Sequence, residues 1–253
     1  MEHLTSVLIP ADLSPALYLL LVASSFLTAG ITTAVGIGGG LAMLAIMANV
    51  MPVAGIVPVH GVVQTTNNSS RAYLLRKDIC AGIFLWFSLG GILGIILASQ
   101  VVVALPLNVL QLIMGLFILY SIWAPKLKNF SQGKASLFIG GIIASAASMF
   151  IGASGPITMA FLSRSKLTRQ QLVSTHAAIM VLQHGLKILA FGMLGFVYMP
   201  WIGLLGAMLV SGFLGAVAGR AVLWRMPEEK FRIIFNSVLT LLALRMLYQA
   251  VIS

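Results

Sequence analysis

The sequence predicts an all-α polytopic membrane protein built from two inverted repeats of about five helical segments each. Three observations carry this prediction: an apolar composition, an internal duplication, and two short segments at matching positions in the two copies. Of the 253 residues, 60% are hydrophobic and only 8% are charged, and the mean hydropathy is +1.06. This composition excludes a water-soluble domain of the same length and is typical of an integral membrane protein.

The duplication becomes visible when the sequence is shifted by 116 positions. In this register His60 falls on His176 and Arg71 falls on Lys187, and the match runs without a gap from about residue 24 to about residue 75. Beyond a loop the offset becomes 121. We therefore predict an N-terminal repeat over residues 1–125 and a C-terminal repeat over 134–253, joined by a cytoplasmic linker at 126–133 into one transport domain.

Ten apolar segments follow one another along the chain, five in each repeat. Most are long enough to cross a hydrocarbon core about 30 Å thick, which takes roughly 20 helical residues. Segments 39–49 and 155–163 are too short, and they occupy equivalent positions in the two repeats. We expect them to be broken or re-entrant helices that meet near the midplane of the membrane. The ten predicted segments span residues 14–35, 39–49, 57–75, 79–103, 107–123, 135–151, 155–163, 170–196, 199–223 and 230–252.

The positions of the basic residues predict the topology. With ten segments, every loop that contains lysine or arginine falls on one side of the membrane, which we assign to the cytoplasm. Both termini are then outside, and the odd number of segments per repeat makes the repeats inverted. The N-terminus lacks the basic start of a signal peptide, so it is kept in the fold. The residues that define the basic loops are Arg76, Lys77, Lys126, Lys128, Lys134, Arg164, Lys166, Arg169, Arg220, Arg225, Lys230 and Arg232.

A glycine-rich break precedes each short segment. Glycine inside a helix costs about 1 kcal/mol relative to alanine, and unpaired backbone cannot face lipid, so the breaks are expected to line protein or a water-filled cavity. The first N–H groups of the short segments then form an anion site. The alternative is tight helix packing through small residues. The residues assigned to the anion site from the two breaks are Gly36, Gly38, Gly39, Gly40, Gly152, Ser154 and Gly155.

Polar residues of the third and eighth segments complete the predicted site. His60, Gln64, Asn67 and Arg71 share one helical face, and the second copy repeats this spacing. The five acidic residues fall at segment ends or in loops, so we infer that the partner of the intramembrane cations is a bound anion. Arg71 could instead extend to the membrane surface, and the histidines could be packing residues. The assigned residues are His60, Gln64, Asn67, Asn68, Arg71, His176, Gln183, His184 and Lys187.

The break, the short segment and the polar helix, repeated in a chain of this size, resemble the sulfite exporter TauE/SafE family. The resemblance is carried by the run from Val35 to Gly40 with Pro52 and the segment to Arg71, and by the run from Ile151 to Pro156 with the segment to Gly195. In the second repeat Gly-Ala-Ser-Gly-Pro replaces a more uniform glycine run. The resemblance implies a non-enzymatic permease of the bacterial inner membrane for sulfite, a sulfonate or a related organosulfur anion. Composition and spacing alone imply only a small anion.

Transport by alternating access has two competitors. An anion channel would conduct without coupling. The run Gly152-Ala153-Ser154-Gly155 also matches the Gly-x-Ser-Gly of rhomboid intramembrane proteases, with His176 or His184 as the base. Transport is favoured because Gly38 stands at the position equivalent to Ser154, and because a protease gives no reason for matched cations in the two repeats.

Cofactors and metals are not expected, since the single Cys80 excludes a cysteine cluster. The predicted partners are a small sulfur-containing anion, the lipid bilayer and a co-transported proton, because a histidine could titrate with the substrate. Nucleic acid is not among them. Small residues in the fourth and ninth segments could pack within one chain or between the chains of a homo-oligomer: Gly90, Gly91, Gly94, Ser211, Gly212, Gly215 and Gly219.

Overall fold

The computed structural model describes residues 10–11, 13–35, 38–102, 105–123, 133–162, 167–222 and 228–252, with side chains except at 34–35, 169, 220–222 and 228–232. In these ranges every regular element is helical. The two short 3-10 turns are Arg76–Asp78 and Met199–Trp201. The α-helices are α1 (Pro15–Val35), α2 (Gly39–Val50), α3 (Val53–Leu74), α4 (Ala81–Val102), α5 (Leu107–Trp123), α6 (Lys134–Ile151), α7 (Gly155–Leu162), α8 (Arg169–Met193), α9 (Ile202–Val222) and α10 (Glu228–Ile252).

Helix length and composition confirm an all-α polytopic membrane protein with short, broken helices. Six helices are long and apolar enough to cross a membrane, namely α1, α4, α6, α8, α9 and α10. The short helices are α2, with 12 residues, and α7, with 8 residues. At a rise of 1.5 Å per residue they extend roughly 18 and 12 Å, well short of a hydrocarbon core of about 30 Å. The predicted pair of short segments is therefore present.

Most predicted segments agree with the helices to within a few residues, and the third is the exception. We expected it to start at residue 57, but α3 begins at Val53 and includes Pro58. Proline removes one helical hydrogen bond. Ile56, Val57 and Val59 are buried around it, so packing of these side chains outweighs the local cost.

The helix ends at the two breaks are set by glycine in the left-handed backbone region. Gly38 has φ 102° directly before α2, and Gly152 has φ 87° directly after α6. Residues with a side chain rarely adopt such angles, so glycine is required at both positions. The N–H of Gly152 donates to Ser148 O at 2.9 Å and closes the last turn of α6. Helices α1 and α6 end 116 positions apart, and α2 and α7 begin 116 positions apart, which is the offset of the sequence repeat.

The chain divides into two compact units, and each unit contains helices from both sequence repeats. The first unit contains α1, α2, α5, α9, α10 and the start of α3 up to Val63. The second unit contains the rest of α3 from Gln64, together with α4, α6, α7 and α8. These units differ from the predicted repeats 1–125 and 134–253, whose boundaries describe the duplication of the sequence and stay a prediction.

The duplication is visible in the packing of helix pairs. In the first unit α1 packs along α9, and in the second unit the equivalent helix α6 packs along α4. In both helix pairs the close contacts are made to backbone carbonyl groups at equivalent positions of the repeat. A serine or a glycine makes these contacts between α1 and α9, and a glycine makes them between α4 and α6. The equivalent contacts are Ser211 with Val22 O and Gly90 with Phe138 O, Ser25 with Met208 O and Gly141 with Phe87 O, and Gly215 with Phe26 O and Gly94 with Ile142 O.

Two consequences follow from these contacts. The contacts of Val22 with Ser211, Phe26 with Gly215 and Gly30 with Gly219 advance together, so α1 is parallel to α9. The contacts of Gly90 with Phe138 and Gly94 with Ile142 make α4 parallel to α6 in the same way. The contacting small residues of α4 and α9 pack within the chain, which answers the question left open by the sequence for Gly90, Gly94, Ser211 and Gly215. The inverted orientation of the two repeats stays a prediction.

Candidate functional site

The second break is fastened to the middle of α8 by polar side chains inside the second unit. Ser154, directly before α7, is fully buried and its Oγ donates to Gln183 Oε1 at 2.6 Å. The Nε2 of Gln183 donates to Ser145 Oγ on α6 at 2.8 Å. One side-chain amide of α8 therefore connects the break to α6 and uses both its donor and its acceptor function.

Lys187 stands one turn further along α8, with no exposed surface. Its Nζ donates to Gly152 O at 2.7 Å and to Ser148 Oγ at 3.3 Å. Both acceptors are neutral. The carbonyl belongs to the residue that ends α6, where the helix dipole is negative, so a cation is favoured there. One carbonyl and one hydroxyl group thus hold the Lys187 amine inside an apolar helix bundle.

His176 lies where α8 passes the start of α7. Its side chain is buried, and its Nε2 lies 3.4 Å from Gly155 O. The guanidinium group of Arg71, on α3, lies within electrostatic range of this imidazole. Arg71 comes from the first sequence repeat and His176 from the second, so residues of both repeats contribute to this part of the second unit.

The polar run of α3 is divided between buried and partly exposed residues. Gln64 and Asn68 are buried, whereas Asn67 and Arg71 are half-buried. Asn68 Nδ2 donates to Gln64 O at 2.7 Å, and its Oδ1 accepts a hydrogen bond of 2.7 Å from Arg71 Nη2. Asn68 therefore orients the guanidinium group, while Asn67 has a more exposed position on the same helix. On α8, His184 is buried beside Gln183.

The first break belongs to the first unit and has a different environment. His60 is buried, and its Nε2 lies 2.9 Å from Gly40 O. Gly38 lies against the ring of Phe235, and Gly39 lies against the backbone of α1 at Thr28. Gly36, which the sequence also assigned to the site, lies outside the described residues.

Two serines in this network were missed by sequence reasoning. Ser145 and Ser148 lie one turn apart on α6, and both are fully buried. The equivalent positions in the first repeat hold Ala29 and Thr32, so the duplication drew no attention to them. Their spacing of three residues in an apolar helix was the available signal, because it places two hydroxyl groups on one helical face.

The side chains of this region form a polar cluster with two basic residues, Lys187 and Arg71. Among the described residues no group of three or more histidine, cysteine, aspartate or glutamate side chains is placed to hold a metal ion. The hydroxyl group of Ser154 donates to an amide oxygen, and His176 Nε2 faces a backbone carbonyl group. These hydrogen bonds differ from the serine–histidine contact that a serine protease requires.

Comparison with protein families identifies a match over most of the chain. The model of a family described as sulfite exporter TauE/SafE matches residues 21–246. This range contains both breaks, all of α2 to α9 and most of α1 and α10. No curated protein and no solved structure gives a significant match to the chain.

Proposed function

The chain belongs to the sulfite exporter TauE/SafE family of membrane transporters, and we propose that it carries a small sulfur-containing anion across the membrane by alternating access. The family implies a membrane transporter of sulfite or related anions. The proposal adds a position for the anion, a role for each polar residue and a coupled proton. Sulfite, a sulfonate or a related organosulfur anion is the expected cargo.

The observation that carries the proposal is the buried positive charge beside the second break. Lys187 has no exposed surface, and its Nζ donates to two neutral acceptors, Gly152 O and Ser148 Oγ. Arg71 brings a second cation within electrostatic range of His176 at the start of α7. Placing charge in an apolar environment is costly, and such groups in membrane proteins mark substrate or ion pathways. An anion at the break would offset this cost.

The donors at the break suit an oxyanion. The first N–H groups of a helix have no helical acceptor, and the positive end of the helix dipole adds to their attraction for negative charge. In α7 these groups belong to Gly155 and Ile157, because Pro156 has no N–H. Ser154, Gln183 and His176 lie around them, and Arg71 and Lys187 supply positive charge.

We assign the equivalent residues of the first break a matching role in the first unit. Gly38, Gly39 and Gly40 begin α2, and His60 contacts the break as His176 does in the second copy. Gln64, Asn67, Asn68 and His184 provide further hydrogen-bonding groups along α3 and α8. We assign the coupled proton to a histidine at this position, because an imidazole can gain and lose a proton.

Transport into liposomes tests the proposal. Purified protein would be reconstituted and the uptake of radiolabelled sulfite measured with sulfate, taurine and sulfoacetate as competitors, in parallel with isothermal titration of the same four compounds. We expect saturable uptake of sulfite, competition by at least one sulfonate, and a dependence on an imposed pH gradient. Unsaturable flux that ignores the pH gradient would indicate a channel, and absence of binding and uptake for all four compounds would refute the assignment.

A further inference from the structure

The glycines that begin the two short helices have different surroundings although they are equivalent in the repeat. A Cβ atom added to Gly39 would collide with Thr28 O and Thr32 Oγ1 of α1. A Cβ atom added to Gly155 would have one neighbour within 4 Å, His176 Nε2 at 3.8 Å, which is an ordinary van der Waals distance. Close packing therefore requires glycine at position 39 and permits alanine at position 155.

Backbone geometry does not require glycine at position 155 either. In the described part of the chain, positive φ angles occur at Gly38, Gly152 and Gly195, and Gly155 is not among them. Gly155 is the first residue of α7, and inside a helix glycine is less favourable than alanine. Neither the fold nor the packing of the second unit explains why position 155 has no side chain.

The space left by Gly155 adjoins groups that attract an anion. It borders the Nε2 of His176, a buried imidazole that has the Arg71 guanidinium group within electrostatic range. It also lies at the first turn of α7, beside Ser154. The imidazole nitrogen is 3.4 Å from Gly155 O, a long hydrogen bond that leaves its donor weakly engaged.

We propose that Gly155 is a specificity-determining residue: the anion occupies the space that a side chain at position 155 would fill, so this glycine sets the size of the group that can approach His176. The inference rests on the proposed transport of a sulfur oxyanion and adds which residue limits its size. Sulfite is a pyramid of three oxygens with a lone pair on sulfur. A sulfonate is tetrahedral and carries a carbon substituent in place of the lone pair, so it needs more room in the same pocket.

Substitution of Gly155 by alanine tests the inference. Affinities of the wild type and of Gly155→Ala for sulfite and for sulfoacetate would be measured by isothermal titration, together with thermal unfolding in the same detergent. We expect unfolding like that of the wild type and a loss of affinity for sulfoacetate that exceeds the loss for sulfite by about tenfold or more, the usual effect of one added carbon in a fitted pocket. The control is Gly206→Ala on α9, where a Cβ would meet nothing within 4 Å, and its affinities should equal those of the wild type.

Each other outcome has a definite meaning. Equal affinities of Gly155→Ala and the wild type, or equal losses for both compounds, would overturn the role in specificity. Failure of Gly155→Ala to fold would also overturn it, since glycine would then be required for packing. A wild type that binds neither sulfite nor sulfoacetate would instead refute the proposed function, and this result is visible before any variant is made.

Discussion

The ammonium group of Lys187 is the clearest case in which a single residue links fold and proposed function. It closes the end of α6 through Gly152 O and adds positive charge beside the second break. Loss of one buried donor to a charged ligand costs about 1–3 kcal/mol. At about 1.4 kcal/mol per decade, we expect Lys187→Met to weaken sulfite binding roughly tenfold to a hundredfold in isothermal titration.

Lys134→Met is the matched control for this variant. It removes a lysine ammonium group from the first turn of α6, at the other end of this helix from the break, where Lys134 Nζ lies 5.5 Å from the centre of the Trp86 ring. Its sulfite affinity should stay unchanged. If Lys187→Met binds sulfite as tightly as Lys134→Met while both unfold like the wild type, the ammonium group has no part in binding.

His176 carries the second prediction at this scale. His176→Gln keeps a nitrogen donor near Gly155 O but removes the imidazole, which can take up and release a proton. We expect this variant to bind sulfite more tightly than His176→Ala does, and its uptake into liposomes to lose the dependence on a pH gradient. A pH-gradient dependence in His176→Gln equal to that of the wild type would assign the coupled proton to another group.

How much of the site the sequence could reveal depended on whether a polar residue was repeated. His176, Gln183 and Lys187 were predicted because His60, Asn67 and Arg71 match them, and all three lie buried along α8. The first repeat has no pair of serines equivalent to Ser145 and Ser148. Their hydrogen bonds to Gln183 and Lys187 could therefore be identified only from the structure. A repeat identifies residues by comparison within the chain, and it gives no signal where one copy has diverged.

At the scale of helices, the close approach of α4 to α6 depends on glycines that face backbone carbonyl groups. A Cβ on Gly141 would collide with Phe87 O, which is backbone and cannot rotate away. Overpacking of this kind costs about 1–3 kcal/mol. We therefore expect Gly141→Ala to lower the unfolding temperature of the purified protein, measured in one detergent at one protein concentration.

Gly206→Ala gives the opposite expectation for the same chemical change. Position 206 lies in α9 with open space around it, and alanine favours a helix over glycine by about 1 kcal/mol. Its unfolding temperature should equal or exceed that of the wild type. A Gly141→Ala protein as stable as Gly206→Ala would show that α4 and α6 separate readily, contrary to the contacts described above.

The sequence predicted these helices well because length and hydropathy are properties of the chain itself. Their pairing was harder to predict. The glycines of the fourth and ninth segments indicated close contact, but Gly90 and Gly215 gave no indication whether the partner helix lay in the same chain. Coordinates were needed to show that they contact α6 and α1. The start of α3 was predicted four residues too late, since burial of Ile56, Val57 and Val59 keeps the chain helical from Val53 through Pro58.

For the whole molecule, the side of the membrane on which the linker 126–133 lies decides whether the repeats are inverted. Two equivalent repeats cross the membrane an even number of times in total, so both termini share a side in either case. An odd number of crossings per repeat places the linker opposite the termini, whereas an even number places all three on one side. The basic residues Lys126 and Lys128 predict a cytoplasmic linker, and both termini are then outside in an inner-membrane protein.

Single cysteines report these positions. The native thiol can be removed as Cys80→Ser, because the contact made there is from the backbone N–H to Thr175 Oγ1 and serine retains it. In this background Ser6→Cys, Ser131→Cys and Ser253→Cys would be labelled with a membrane-impermeant maleimide. We expect labelling at 6 and 253 in spheroplasts, and labelling at 131 only in inverted vesicles. Labelling of all three from one side would mean an even number of crossings per repeat, and α2 or α7 would then enter and leave the membrane on the same face instead of completing a crossing.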